Sequence, residues 1–220
     1  MTGVFPEVAF TLFGIPIRDT VVSTWIMMAI IIVFAVVINR KQPVLLEMLV
    51  DFLADTFTNV MGVSSAPYLP LLGALAIFIA FANIISIVPG ITSPTKDINT
   101  PLALAVVVFF SVHYFGIRQK GLWGYVKDLA SPIFLLPLEL IGQLSRTLSL
   151  TLRLFGNIIS GEMIVAIIFA LIPLFLPLPM VGLGIFVGLL QAYIFTVLAS
   201  TYIGAAVEAT AGKPKKDKVD

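Results

Sequence analysis

Arg153 is the residue with the most chemistry at stake. It lies near the middle of a long apolar segment. A charge at the centre of a membrane helix costs roughly 2.5–3.5 kcal/mol on insertion scales, and a guanidinium cannot shed its proton to escape that cost. Glu139, Arg146 and Glu162 share the segment, and Glu208 closes the following one. On a helix, Glu139, Gln143, Arg146, Ser149 (or Leu150), Arg153 and Asn157 step by three or four and form one polar stripe. At ~1.5 Å per residue, Glu139 stands about 21 Å before Arg153, and Glu162 about 13.5 Å after it and a half-turn round. Two carboxylates at different depths on either side of a fixed cation suit two aqueous half-channels separated by a positive barrier. Gly142, Gly156 and Gly161 lie on or near the stripe and would let a neighbour approach closely, so the stripe is expected to face a partner or a water-filled cleft.

The next apolar segment complements this one. Gln191 is a lone amide, Gly184 and Gly188 form a G-x-x-x-G face, and Gly184 and Gln191 share a side. A turn at Pro173, Pro177 and Pro179 makes the two segments a hairpin, so Gln191 is placed to face the Arg153 helix. Each of these groups also has a plainer reading. Glu162 is either part of an ion path or a paired structural carboxylate, and Asn157 and Gln191 are either path groups or glue between helices. His113, at the end of a span, reads as an interfacial residue rather than a relay. Asp97 and the acidic residues Glu47, Asp51 and Asp55 read most simply as solvated.

The elements that must position these groups follow from composition. Of 220 residues, 59% are apolar and only 11% charged, against roughly 25% charged in soluble domains. That excludes a disordered chain, a nucleic-acid binder and an ordinary cytosolic enzyme, and leaves an integral membrane protein. With no cysteine and one histidine, disulfides, thiolate chemistry and histidine metal clusters are excluded, and no metal or cofactor is expected. Spans are expected over 20–38, 68–88 and 101–117, the first as a signal anchor rather than a cleaved signal peptide. Residues 43–61, with proline at the first helical position and an acidic face, predict an amphipathic helix on the membrane surface; a helix on a small soluble cap is the alternative. Trp123 and Tyr125 are expected as interface anchors. Residues 133–172 form an apolar run whose helix, at ~60 Å, is twice the ~30 Å hydrocarbon core, so it must tilt, lie flat or break. Residues 180–207 form the last helix. The expected fold is therefore all-α and polytopic, with about five membrane-inserted helices, a surface helix and a long tilted C-terminal hairpin.

With residues 1–19 placed outside, Arg40, Lys41, Arg118, Lys120, Lys127, Lys213, Lys215, Lys216 and Lys218 fall inside, and only Arg18 and Lys96 outside. This bias puts the N-terminus outside and the tail, 208–220, in the cytoplasm.

At Ser149-Leu-Thr-Leu-Arg153-Leu-Phe-Gly-Asn157-Ile-Ile-Ser-Gly-Glu162 the chain resembles subunit a of the membrane sector of F-type ATP synthases. The likeness extends to Gln191-Ala-Tyr-Ile-Phe-Thr, and to Pro89 with the downstream Asp97-Ile-Asn99-Thr. It implies a stator beside a ring of c subunits and b-type peripheral stalk subunits in the cell (inner) membrane, carrying H⁺ or Na⁺ and holding no ATP site itself. Arg153 matches the family's essential arginine. Glu162, Asn157 and Gln191 match the outer half-channel, Asp97 and Asn99 its entrance loop, and Glu139 and Ser149 the cytoplasmic half-channel. Two positions depart from the family pattern. Gly184 stands where members often carry an ionisable residue, and Arg146 where an apolar residue or lysine is common. Arg146 is expected to pair with Glu139 or a lipid head group. The short N-terminal region is expected of a bacterial or archaeal-type chain without a processed presequence. A stand-alone transporter or channel is the alternative, disfavoured by the lack of an inverted repeat. An intramembrane enzyme ranks lower, since no catalytic or nucleotide-binding motif occurs.

Overall fold

A computed structural model describes residues 8–12, 15–87, 91–129, 136–172 and 177–208. Two short strands, β1 (Val8–Leu12) and β2 (Ile15–Arg18), pair antiparallel ahead of the first helix. The helices are α1 (Asp19–Lys41), α2 (Pro43–Met61), α3 (Leu69–Ile84), α4 (Asn99–Lys120), α5 (Leu122–Leu129), α6 (Leu136–Leu171) and α7 (Pro177–Glu208). Short 3₁₀ turns, Ile85–Ile87 and Pro94–Lys96, lie between α3 and α4. Pro89, Gly90, Pro173, residues 133–135 and the lysine-rich tail beyond Glu208 fall outside the described residues.

The chain is an all-α polytopic membrane protein preceded by this hairpin, which the sequence reading did not anticipate. α1, α4, α6 and α7 are long and apolar enough to cross a membrane, and α3 is a shorter apolar helix of 16 residues. Of the three outcomes expected for the long run, breakage is excluded between Leu136 and Leu171. α6 is one rod of 36 residues, about 54 Å long. Pro177 and Pro179 lie inside the first turn of α7 instead of ahead of it. Their missing N–H groups fall where a helix has no acceptor to offer, so they start the helix without kinking it.

The core lies between α3, α4, α6 and α7. Leu72, Leu75 and Ile79 pack with Ala105, Val108, Leu150, Leu154, Phe195, Ala199 and Ile203. α6 contributes little to it: among its described residues only Leu150, Thr151 and Leu154 are buried. α1 attaches through Thr20, Ser23 and Met27, which share a face in its first turns. Both helices therefore leave most of their apolar length open to lipid or to another subunit.

α2 keeps the expected limits, starting on Pro43 and ending on Gly62, whose φ of 68° gives the left-handed cap. Glu47, Asp51 and Asp55 are exposed, while Leu53, Phe57 and Met61, spaced four apart, are buried. Gly204 of α7 lets α2 approach closely: a Cβ there would sit 3.2 Å from Met61 Cα. Backbone cannot yield as a side-chain tip does. Gly204→Val is therefore expected to destabilise by ~1–3 kcal/mol, read as a lower thermal midpoint in detergent with α2 the first segment cut by protease.

Tyr125 is not an outward anchor. It is 7% exposed, and its ring fills the hollow left by Gly116, where a Cβ would stand 2.5 Å from Cε2. Trp123, at 87% exposure, does project. Burial, and secondarily the Glu139 carboxylate, push the Tyr125 hydroxyl above its ordinary range.

Candidate functional site

The segment joining α3 to α4 is a wedge, not a solvated loop. The turn Pro94–Lys96 packs against α1, α3, α4 and α6, and Ser93, Thr95, Lys96 and Asp97 are all buried. Side chains supply the hydrogen bonds this buried segment needs. Ser93 Oγ donates to the Ala82 carbonyl at 2.8 Å, and Thr95 Oγ1 donates to Asn83 Oδ1 at 3.0 Å. Asn83 Nδ2 in turn donates to the Gly188 carbonyl of α7 at 2.8 Å. Thr92 donates to Asp19, and Arg18 pairs with Asp97 at 2.6 Å. Asp97 also accepts from the backbone N–H and side-chain amide of Asn99, holding the first turn of α4. Asp97 is therefore buried and paired, where the plain sequence reading had it solvated.

The wedge forms one wall of an open cavity of about 900 Å³ between α6 and α7. Asn157, Gly161 and Glu162 of α6 line it, with Gly184, Gly188 and Gln191 of α7 and Lys96 of the wedge. Asn157 Nδ2 donates to Gln191 Oε1 at 2.7 Å, the facing expected of the hairpin. Gln191 is 2% exposed and its Nε2 has no partner among the described residues. Whichever way the two amides are turned, one polar atom of Gln191 meets Asn157 and the other is left for the cavity. Lys96 Nζ lies 2.7 Å from Glu162 Oε2, with side-chain exposures of 4% and 28%. Lys96 is the cavity-lining charge that sequence reasoning missed by counting it among the outside loop charges. The polar density from Thr92 to Asn99 was the available signal, since free loops seldom need so many side-chain donors and acceptors.

A second, smaller cleft of about 30 Å³ opens toward the start of α6, lined by Val108, His113, Gln143, Arg146, Thr147 and Tyr202 among others. It has room for a water molecule. Gln143 Oε1 is buried there without a partner among the described residues, while Gln143 Nε2 reaches Glu139 at 3.4 Å. Arg146 stands 4.0 Å from Glu139 and 5.4 Å over the Tyr202 ring, so the expected pairing with Glu139 is present in a loose form. His113 Nδ1 contacts the Phe109 carbonyl at 2.8 Å, and its ring lines this cleft.

Between the clefts lies Arg153. It is exposed, and no hydrogen bond or ion pair among the described residues reaches its guanidinium. The stripe thus divides: Leu150 and Leu154 turn into the core, while Ser149 and Arg153 face out of the chain. Because α6 is unbroken, the helical separations of Glu139 and Glu162 from Arg153 hold. Asn99 and Asp97 adjoin Lys96 but do not line the cavity, and Ser149 does not line the smaller cleft. Of the five glycines expected to allow close helix packing, Gly188 meets Asn83, where a Cβ would come within 2.9 Å of Asn83 Cβ. A Cβ on Gly142, Gly156, Gly161 or Gly184 meets nothing within 4 Å among the described residues.

Residues 21–204 match the family model described as ATP synthase A chain. "ATP synthase subunit a 2" of Bradyrhizobium sp. (strain BTAi1) is 45% identical, over 92% of this chain and 94% of that protein. "ATP synthase subunit a 2" of Picosynechococcus sp. (strain PCC 7002) is 42% identical, over 86% of each chain. "ATP synthase subunit a" of Moorella thermoacetica is 41% identical, over 92% of this chain and 97% of that protein. The chain belongs to the ATP synthase A chain family and is a subunit of the membrane sector of that complex.

Proposed function

We propose that the chain provides two aqueous half-channels for H⁺ or Na⁺, with Arg153 as the fixed cation between them, facing the carboxylates of a c-subunit ring. The observation that carries this reading is the exposed Arg153, without a partner among the described residues, on an unbroken helix between the stretches of α6 that line the two clefts. A rotor carboxylate at 4 Å would gain about 4 kcal/mol at an effective dielectric of 20. That is enough to compete with a bound ion and too little to trap the rotor. The larger cavity, with Glu162, Asn157 and Gln191, forms the outer half-channel, reached past the Asp97 and Asn99 segment. Glu139, Ser149 and Arg146 border the cytoplasmic one. Gly156, on the Arg153 side of α6, lets the ring come close. The chain sits in the cell membrane with its N-terminus outside and its C-terminus in the cytoplasm. α2 lies along the membrane surface with Val44, Leu45, Met48 and Phe52 toward lipid, residues exposed in the isolated chain. Peripheral-stalk subunits of b type hold the stator against the ring.

Glu162→Gln removes the titratable group of the larger cavity while keeping its shape. ATP-driven ion uptake by vesicles holding the assembled complex, with and without Na⁺, is expected to fall several-fold with assembly intact. Unchanged flux of either ion would make Glu162 structural.

A further inference from the structure

Gly184 brings no side chain to the larger cavity, so among the described residues Lys96 and Glu162 are the only charged ones lining it. They touch at 2.7 Å, and Lys96 is held by a wedge that four helices clamp. The other charges on the packed elements are engaged elsewhere or distant. Arg18 is paired with Asp97, and Asp19 accepts from Thr92. α3 has no charged residue, α7 has none before Glu208, and the charges of α4 lie in its last turn. Arg153 is nine residues and a half-turn from Glu162.

We propose that Lys96 sets the ion requirement of this path: its ammonium is a tethered cation seated on Glu162, which the transported ion must displace. The inference rests on the ion-path reading of the cavity. A cation already on a carboxylate lowers that carboxylate's affinity for a second one. An ammonium on a four-carbon stem can leave and return, whereas a guanidinium binds a carboxylate through two donors and leaves less readily. The pair thus keeps Glu162 within reach of an arriving ion without letting it hold that ion long enough to stall flow.

The test is ATP synthesis by the reconstituted complex at fixed imposed potential, with the outside proton concentration titrated first and Na⁺ then titrated at fixed pH. Lys96→Gln is expected to lower the half-saturating ion concentration by at least about threefold, the scale of a part-exposed ion pair. Lys96→Arg is expected to raise it. In a Glu162→Gln background neither substitution should move it further. Opposite shifts for glutamine and arginine are not produced by a merely structural lysine. If Lys96→Gln fails to assemble, Lys96→Arg decides alone: a rise supports the proposal and an unchanged midpoint overturns it. Shifts that persist without the Glu162 carboxylate overturn it as well. Failure of the ion-path reading itself appears separately, as normal flux in Glu162→Gln.

Discussion

Arg153→Ala should abolish ATP-driven ion uptake and ion-driven ATP synthesis in the assembled complex while leaving the fold of this chain unharmed. Both halves follow from one observation. The guanidinium is exposed and meets no acceptor among the described residues, so the chain gains nothing from it that would offset the ~2.5–3.5 kcal/mol of placing a charge in the membrane. Its compensating interactions come from a neighbour, and an arginine on an outward face is suited to a carboxylate that arrives and departs. Removing it should ease insertion slightly and leave the thermal midpoint in detergent within about 0.5 kcal/mol of the parent, as for exposed sites without partners. Function should drop at least ~100-fold, since on the proposed reading one fixed positive charge both releases the ion from the rotor and blocks a leak between the clefts. Arg153→Lys should recover only part of this, because an ammonium lacks the planar fork and can lose its proton when desolvated. Uptake by Arg153→Ala vesicles at the parent rate would refute the assignment.

Arg153 was legible in the sequence because its placement is costly, and a costly group in a uniform apolar run stands out by composition alone. The limits of α2 were legible too, since Pro43 and Gly62 are local signals needing no knowledge of the rest of the fold. Periodicity predicts which residues of one helix share a face, but not which helix that face meets. In α1, α3 and α7 apolar residues surround the axis, so no inward face stands out. The determinants that escaped reading are long-range pairs: Arg18 with Asp97 across 79 positions, Asn83 with Gly188 across 105, and Lys96 with Glu162. Each looked ordinary alone. Lys96 resembled a loop charge, Asn83 a polar residue at a span's end, and Tyr125 an interface anchor. What changes their meaning is a buried partner, and Gly116 and Gly188 create the room for two of those encounters.

Asn83→Leu should be strongly destabilising, at about 2–6 kcal/mol, the sum of two buried polar groups left unmet at roughly 1–3 kcal/mol each. Asn83 is 3% exposed. It donates to the Gly188 carbonyl on α7 and accepts from Thr95 in the wedge, so its side chain ties α3 to both. Leucine has the same branched outline of four side-chain heavy atoms and is no smaller, so a cavity is not the cause of the loss. The bare Thr95 hydroxyl and Gly188 carbonyl are. Asn83→Asp keeps the acceptor for Thr95 but loses the donor to Gly188 and adds a buried charge, so it should be no better. Gly188→Ala attacks the same junction sterically, since its Cβ would have to displace Asn83 Cβ from 2.9 Å. The two substitutions should therefore be less than additive, because either one already separates α3 from α7. The functional consequence is specific. The wedge that Asn83 anchors carries Lys96, so Asn83→Leu should lower ATP-driven uptake even in complexes that assemble, whereas Gly204→Val, which disturbs the remote α2 contact, should lower stability with uptake per assembled complex near normal. Equal losses of uptake in the two variants would mean that general loosening of the bundle, and not release of the wedge, is what the measurement reports.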